Sequence, residues 1–203
     1  VPEMTRAQFP GGRGYNRGNM FNRDGAPLPR AQWAWGTIEK VFDGVRRAAG
    51  SEARTYAIFG HSAGAQFVHR FALFAGPVRA DVLIAANAGW YTMPSVDERF
   101  PYGLAGSPAD ETQVRLALAR PLVVLLGDQD ADRAHKHLRR TPEADRQGPH
   151  RFARGHAFFR AAEAQAKRLG APFHWRLETV PGVGHDNARM TEAAARRIAA
   201  ETR

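Results

Sequence analysis

The chain of 203 residues contains no cysteine. That absence excludes a disulfide framework, a thiolate nucleophile and any cysteine-ligated metal, so catalysis would have to come from other groups. Serine is scarce as well: Ser51, Ser62, Ser95 and Ser107 are all there is. No apolar run approaches the roughly 18–20 residues that a membrane-spanning helix needs. The opening Val1-Pro2-Glu3-Met4 lacks the basic-then-apolar layout of a signal peptide. A soluble chain with no membrane span is expected, and its compartment is left open. Acids are also outnumbered, 20 Asp and Glu against 29 Lys and Arg, for a net charge of +9. The excess is arginine spread along the chain, with no zinc-finger, RRM-like or helix-turn-helix pattern to focus it, so nucleic acid is not an expected partner.

What is present suits one globular domain over residues 1–203, with 43% hydrophobic and 24% charged residues. The stretch to about Arg30 is rich in Gly, Pro, Asn and Arg and reads as an extended loop. From about Ala31 to Ala49, Trp35, Ile38, Val41, Phe42 and Val45 recur at helical spacing. Arg54 to Phe59 reads as a strand that runs into Gly60, and Phe67, Val68, Phe71 and Phe74 then resume the helical period. Asp81 to Ala86 and Pro121 to Leu126 are short apolar runs without polar alternation, as parallel strands covered on both faces require. Ser107-Pro108-Ala109-Asp110-Glu111 predicts a helix start, and further helices are predicted over about Phe152 to Leu169 and Thr191 to Glu201. Phe173 to Val180 alternates and predicts a strand near the sheet edge. Strands alternating with helices imply a doubly wound, mostly parallel α/β sheet with helices on both faces. Its site should lie at the carboxyl ends of the strands.

Three segments follow predicted strands and should share that rim: Gly60 to Gly64, Gly127 to Asp130 and Gly182 to Asn187. The first, Gly60-His61-Ser62-Ala63-Gly64, is a Gly-x-Ser-x-Gly pattern between a strand and a helix. A serine hydroxyl is a weak nucleophile unless a base takes its proton and a sharp turn presents it, and this pattern provides the turn. The amide of Ala63, at the helix start, would then face a developing oxyanion. The base is expected after the last strand, where His185 stands in Pro181-Gly182-Val183-Gly184-His185. His61, His69, His156 and His174 fall inside the elbow, helices or a strand, and His150 lies in a loop well before the last strand. His135 and His137 flank Lys136 as a solvated basic segment, and no metal site is expected. Asp128, Asp130 and Asp132 compete for the acid; Asp130 is preferred, because a chain leaving through Gly127 needs a few residues to turn back over the rim.

Ser62, Asp130 and His185 occur in the nucleophile, acid, base order of the α/β hydrolases. Together with Ala86-Asn87-Ala88-Gly89-Trp90-Tyr91 and Gly127-Asp128-Gln129-Asp130, they make the chain resemble the bacterial esterase and poly(3-hydroxyalkanoate) depolymerase-like branch of that superfamily. The resemblance implies a serine hydrolase of carboxylic esters, without a cofactor, acting through an acyl-enzyme on short-chain or polymeric substrates. Peptide or thioester chemistry on the same triad, and a non-catalytic binding protein that keeps the fold, are the alternatives. Several strands commonly precede the nucleophile strand in that superfamily, so an N-terminal segment before Val1 is expected, with Met4 or Glu3 supplying a second oxyanion amide. Loop aromatics Trp90 and Tyr91, with Tyr15 and Phe9, are nominated to line the substrate pocket.

Overall fold

The computed structural model describes residues 4–201. The opening segment is a loop with one helical turn, α1 (Gly11–Gly14), and a 3-10 turn at Arg30–Gln32 before the first long helix, α2 (Trp35–Ala49). This segment is strapped onto the domain rather than loose. Tyr15 stacks on Phe67 at 5.3 Å, and Asn16 Nδ2 donates to Gln66 Oε1 at 3.3 Å. Gly50 ends α2 in the left-handed conformation, where its amide reaches the last-turn carbonyls of Arg46 and Arg47.

Four parallel strands follow, interleaved with helices: β1 (Tyr56–His61), α3 (Ala63–Phe74), β2 (Ala80–Ala86), α4 (Glu111–Leu118), β3 (Leu122–Gly127), α5 (Pro142–Gln147), α6 (Arg151–Leu169), β4 (Arg176–Val180) and α7 (Asn187–Glu201). The spatial order is β1-β2-β3-β4. Because the strands advance in one direction, the right-handed crossover preference sets successive crossover helices on one face. Phe67 and Phe71 of α3, Leu118 of α4 and Phe158 of α6 accordingly share one apolar cluster with Leu83, Ala85, Val124 and Leu126. The alternate strand residues Val82, Ile84, Val123 and Leu125 turn to the other face and meet Met190 and Ala194 of α7. The apolar runs of β2 and β3 are covered on both sides, which is why they show no polar alternation.

Four boundaries differ from the sequence reading, each for a local reason. Asp110, not Ser107, caps α4 by accepting from the Gln113 amide at 2.7 Å; Ser107 Oγ is turned to the Ala109 amide instead. Residues 142–147, where no helix is predicted from sequence, form α5, capped by Thr141 with Pro142 in its first turn. β4 starts at Arg176 because Phe173 to Trp175 leave the ladder: His174 N donates to Leu118 O at 3.0 Å and Trp175 Nε1 to Ala117 O at 2.9 Å. α7 begins at Asn187, ahead of Thr191, because Asp186 Oδ1 takes the amides of Ala188 and Arg189. Among the described residues, no helix is long and apolar enough to cross a membrane.

Candidate active site

All four strands end at one rim, and the segments carrying chemistry leave from there. Between β1 and α3 the chain reverses so sharply that Ser62 is held at φ 56°, ψ −110°, a conformation that L-residues rarely adopt. Its amide donates to Ala86 O at the end of β2, and its carbonyl accepts from Gln66 N, so the turn is fixed from both sides. Ala63 opens α3, and the amides of a first helical turn have no intrahelical acceptor.

His185 Nε2 lies 3.0 Å from Ser62 Oγ, and His185 Nδ1 lies 2.7 Å from Asp130 Oδ2. The structure therefore brings Ser62, His185 and Asp130 into one hydrogen-bonded line. Asp130 is buried, with 2% of its side chain exposed, while His185 keeps 16%. Asp128 instead crosses to the neighbouring loop, accepting from Gly182 N at 2.8 Å. The loops after β3 and β4 are laced further by Gln129 N to Val183 O at 2.9 Å.

Four residues around this line, Asn87, Arg151, His61 and His135, were given no role in it from sequence. Asn87, buried with φ 50°, accepts from Gly127 N at 2.9 Å through Oδ1 and donates to Gly184 O at 3.1 Å through Nδ2. One amide side chain thus joins the ends of three strands. Arg151, also buried, places NH1 3.4 Å from Asp130 Oδ1 and NH2 3.2 Å from His135 Nδ1. The His61 and His135 rings lie 4.6 and 5.4 Å from that of His185. Burial, and then the proximity of His185, pushes His61 down to about 4, so the His61 ring is neutral near pH 7. His135, read as part of a solvated segment, is drawn into this group by Arg151. For Asn87, an asparagine directly after an apolar run signals a turn, but its partners, like those of Arg151 and His135, appear only in the folded arrangement.

Removing the Asn87 side chain should leave the Gly127 amide and the Gly184 carbonyl without their partner. Asn87→Ala is expected to lower unfolding free energy by about 2–4 kcal/mol, since each buried unsatisfied group costs about 1–3 kcal/mol. Asn87→Asp keeps only the acceptor half and should fall between the two. Denaturant midpoints of the three proteins check the order.

The nominated pocket residues divide. Trp90 sits at the wall of a cleft with Gln66, Arg17 and Arg139. Tyr91 does not line a pocket: it is completely buried, stacked on Phe158 at 4.4 Å and set 5.1 Å from the His69 ring. Phe158 of α6 covers the Tyr91 ring. Tyr15 reaches over the elbow, its hydroxyl 3.7 Å from where a Cβ on Gly64 would be, while Phe9 packs against the main core. Met4 is half-buried against that core as well; Glu3 lies outside the described residues.

No protein-family model matches the chain, and no curated protein matches it. Solved structures do. Poly(aspartic acid) hydrolase-1 from Sphingomonas sp. KT-1 is 46% identical with a TM-score of 0.92, over 95% of this chain and 73% of that one. The chain belongs to the depolymerase-like branch of the α/β hydrolases. LpqC, a poly(3-hydroxybutyrate) depolymerase from Bordetella parapertussis, is 38% identical with a TM-score of 0.88, over 95% of this chain and 66% of that one. As in other α/β hydrolases, the parallel sheet carries its strand-to-helix elbow at the carboxyl rim, and this hydrolase places Ser62 there.

Proposed function

We propose that the chain is a serine hydrolase of carboxylic esters in which Ser62 is the nucleophile, His185 the general base and acid, and Asp130 the group that orients His185. The observation carrying this reading is the continuous line from Ser62 Oγ through both nitrogens of His185 to buried Asp130, set on a strained turn. In it, His185 Nδ1–H donates to Asp130, which leaves Nε2 as the acceptor facing the hydroxyl. Ser62 Oγ attacks the ester carbonyl carbon as its proton passes to His185. The oxyanion so formed receives the Ala63 amide and a second amide assigned to Met4, one such donor being worth ~3 kcal/mol. Collapse restores the carbonyl and breaks the bond from its carbon to the alkoxy oxygen, and His185 gives its proton to the departing alcohol. Water then repeats the sequence on the acyl-enzyme and restores Ser62. His61, held neutral beside His185, adds no competing charge.

Two structural relatives named for a polyester and for poly(aspartic acid) support a polymer main-chain bond as the target, ester or amide. Amide cleavage needs the same proton transfers, with an amine leaving in place of the alcohol. A fluorophosphonate probe is expected to label Ser62 and nothing else, mapped by peptide mass spectrometry. Nitrophenyl esters of graded acyl length, run beside a polyhydroxyalkanoate film and an anilide, then separate ester from amide preference. Labelling absent from the folded protein would sink the serine-hydrolase reading and leave a binding protein on the same fold.

A further inference from the structure

Beside the Ser62 elbow, arginines gather without acids. A cleft of about 260 Å³ is walled by Asn16, Gln66, Trp90, Arg17 and Arg139. A second, of about 280 Å³, adjoins it through Arg17 and Pro101 and adds Arg13, Arg23 and Arg99. No carboxylate lines either one. Several arginines elsewhere are held by acids: Arg79 by Glu39 and Asp43, Arg146 by Glu98, Arg197 by Glu178. In this trough five arginines, Arg13, Arg17, Arg23, Arg99 and Arg139, share one lining with no acid in it, and Gln66 marks its near end. Gln66 N donates to Ser62 O, which puts this wall one helical turn, about 6 Å of rise, from the elbow.

The guanidiniums here lie close enough for Arg139 and Arg13 to repel Arg17. Arg17 has no carboxylate within ion-pair distance among the described residues; burial and then Arg139 and Arg13 hold it below the usual arginine range. The Arg139 guanidinium lies over the Trp90 ring at 5.4 Å and donates to Tyr102 Oη at 2.8 Å. Arg70, fully buried behind, lies over the same ring at 4.2 Å and keeps one terminal nitrogen without a partner. Gathered like charges raise the free energy of the empty site, and a bound anion relieves it. Guanidinium forks suit planar oxyanions, and the indole gives an apolar floor for a short carbon chain.

We propose that this trough is a carboxylate-binding subsite of the hydrolase, with Arg17 and Arg139 as donors and Trp90 as floor, selecting substrates that carry a free carboxylate close to the scissile bond. The proposal rests on the serine-hydrolase reading of Ser62. A carboxylate is favoured over a phosphodiester because the near wall of the trough lies one helical turn from an acyl-transfer nucleophile, whose substrates are carbonyl compounds.

The test compares 4-nitrophenyl hemisuccinate with 4-nitrophenyl butyrate, which differ chiefly in a terminal carboxylate. In the wild-type protein at low salt, kcat/KM for the hemisuccinate should exceed that for the butyrate by about ten-fold, with the advantage shrinking as salt screens the exposed Arg139. Arg17→Gln combined with Arg139→Gln should erase that ratio, whereas Arg168→Gln, on a distant part of α6, should keep it. Short polyacrylate should inhibit wild type more strongly than a DNA oligonucleotide of equal charge. Equal use of the two esters by protein whose Ser62 accepts a fluorophosphonate would overturn the subsite alone. So would a ratio retained in the double variant, or equal inhibition by DNA. Protein that neither turns over an ester nor labels at Ser62 would overturn the subsite together with the reading beneath it.

Discussion

Ser62→Ala is expected to reduce kcat on any ester by about 10⁴–10⁶-fold while the fold persists, because the nucleophile and the proton it shares with His185 disappear together. Groups that act as a unit do not contribute additively. His185→Ala should therefore fall nearly as far, and the double variant Ser62→Ala with His185→Ala no further than either alone. Asp130→Asn should be severe for another reason: an amide presented to Nδ1 favours the tautomer whose proton sits on Nε2, where it faces the hydroxyl it ought to accept from. A second substitution separates chemistry from strain. At φ 56°, ψ −110°, glycine is more comfortable than alanine, so Ser62→Gly should be equally inactive yet about 1 kcal/mol more stable than Ser62→Ala. Initial rates at saturating substrate, with thermal melts of both variants, check these expectations. Similar rates for Ser62→Ala and wild type would remove the mechanism.

The parallel sheet was readable because its two central strands, β2 from Val82 onward and β3 throughout, are unbroken apolar runs, and only burial on both faces asks for that. Loop placement was readable from the same fact, since parallel strands deliver their trailing loops to one rim. Contacts between those loops were not. Asn87 and Arg151 each act through partners 40 and 21 residues away, and no local pattern encodes such pairs. Tyr91 shows the limit from the other side: adjacent in sequence to Trp90, it turns inward onto Phe158 while Trp90 stays at a cleft wall. A local signal was available at α5, whose Thr141-Pro142 start has the cap and proline that mark a helix, yet the sequence reading predicts no helix there. At α4 the same kind of signal pointed three residues early, because Ser107-Pro108 satisfies its own turn and Asp110 makes the stronger cap.

Gly60→Ala and Gly64→Ala should have opposite effects, although the two glycines occupy matching places in the elbow. A Cβ at Gly60 would stand 2.4 Å from both the carbonyl carbon and oxygen of Gly64 and 2.9 Å from Ala65 N. Those are backbone atoms at the start of α3, so relief requires the helix to move, and with it Ser62 and the Ala63 amide. Gly60→Ala is accordingly expected to cost about 3 kcal/mol of stability or more. A displacement of about 1 Å at the elbow is enough to lower kcat/KM by ~10²-fold in whatever protein remains folded. At Gly64 the nearest atom to a new Cβ is the Tyr15 hydroxyl at 3.7 Å, an ordinary contact. There alanine adds helix propensity in the first turn of α3, and Gly64→Ala should be neutral or up to about 1 kcal/mol more stable. Unfolding midpoints and kcat/KM for the pair make the comparison. A Gly64→Ala protein that is stable but slow would mean that substrate passes between Tyr15 and the elbow, which would place Tyr15 in the binding cleft rather than over it as packing.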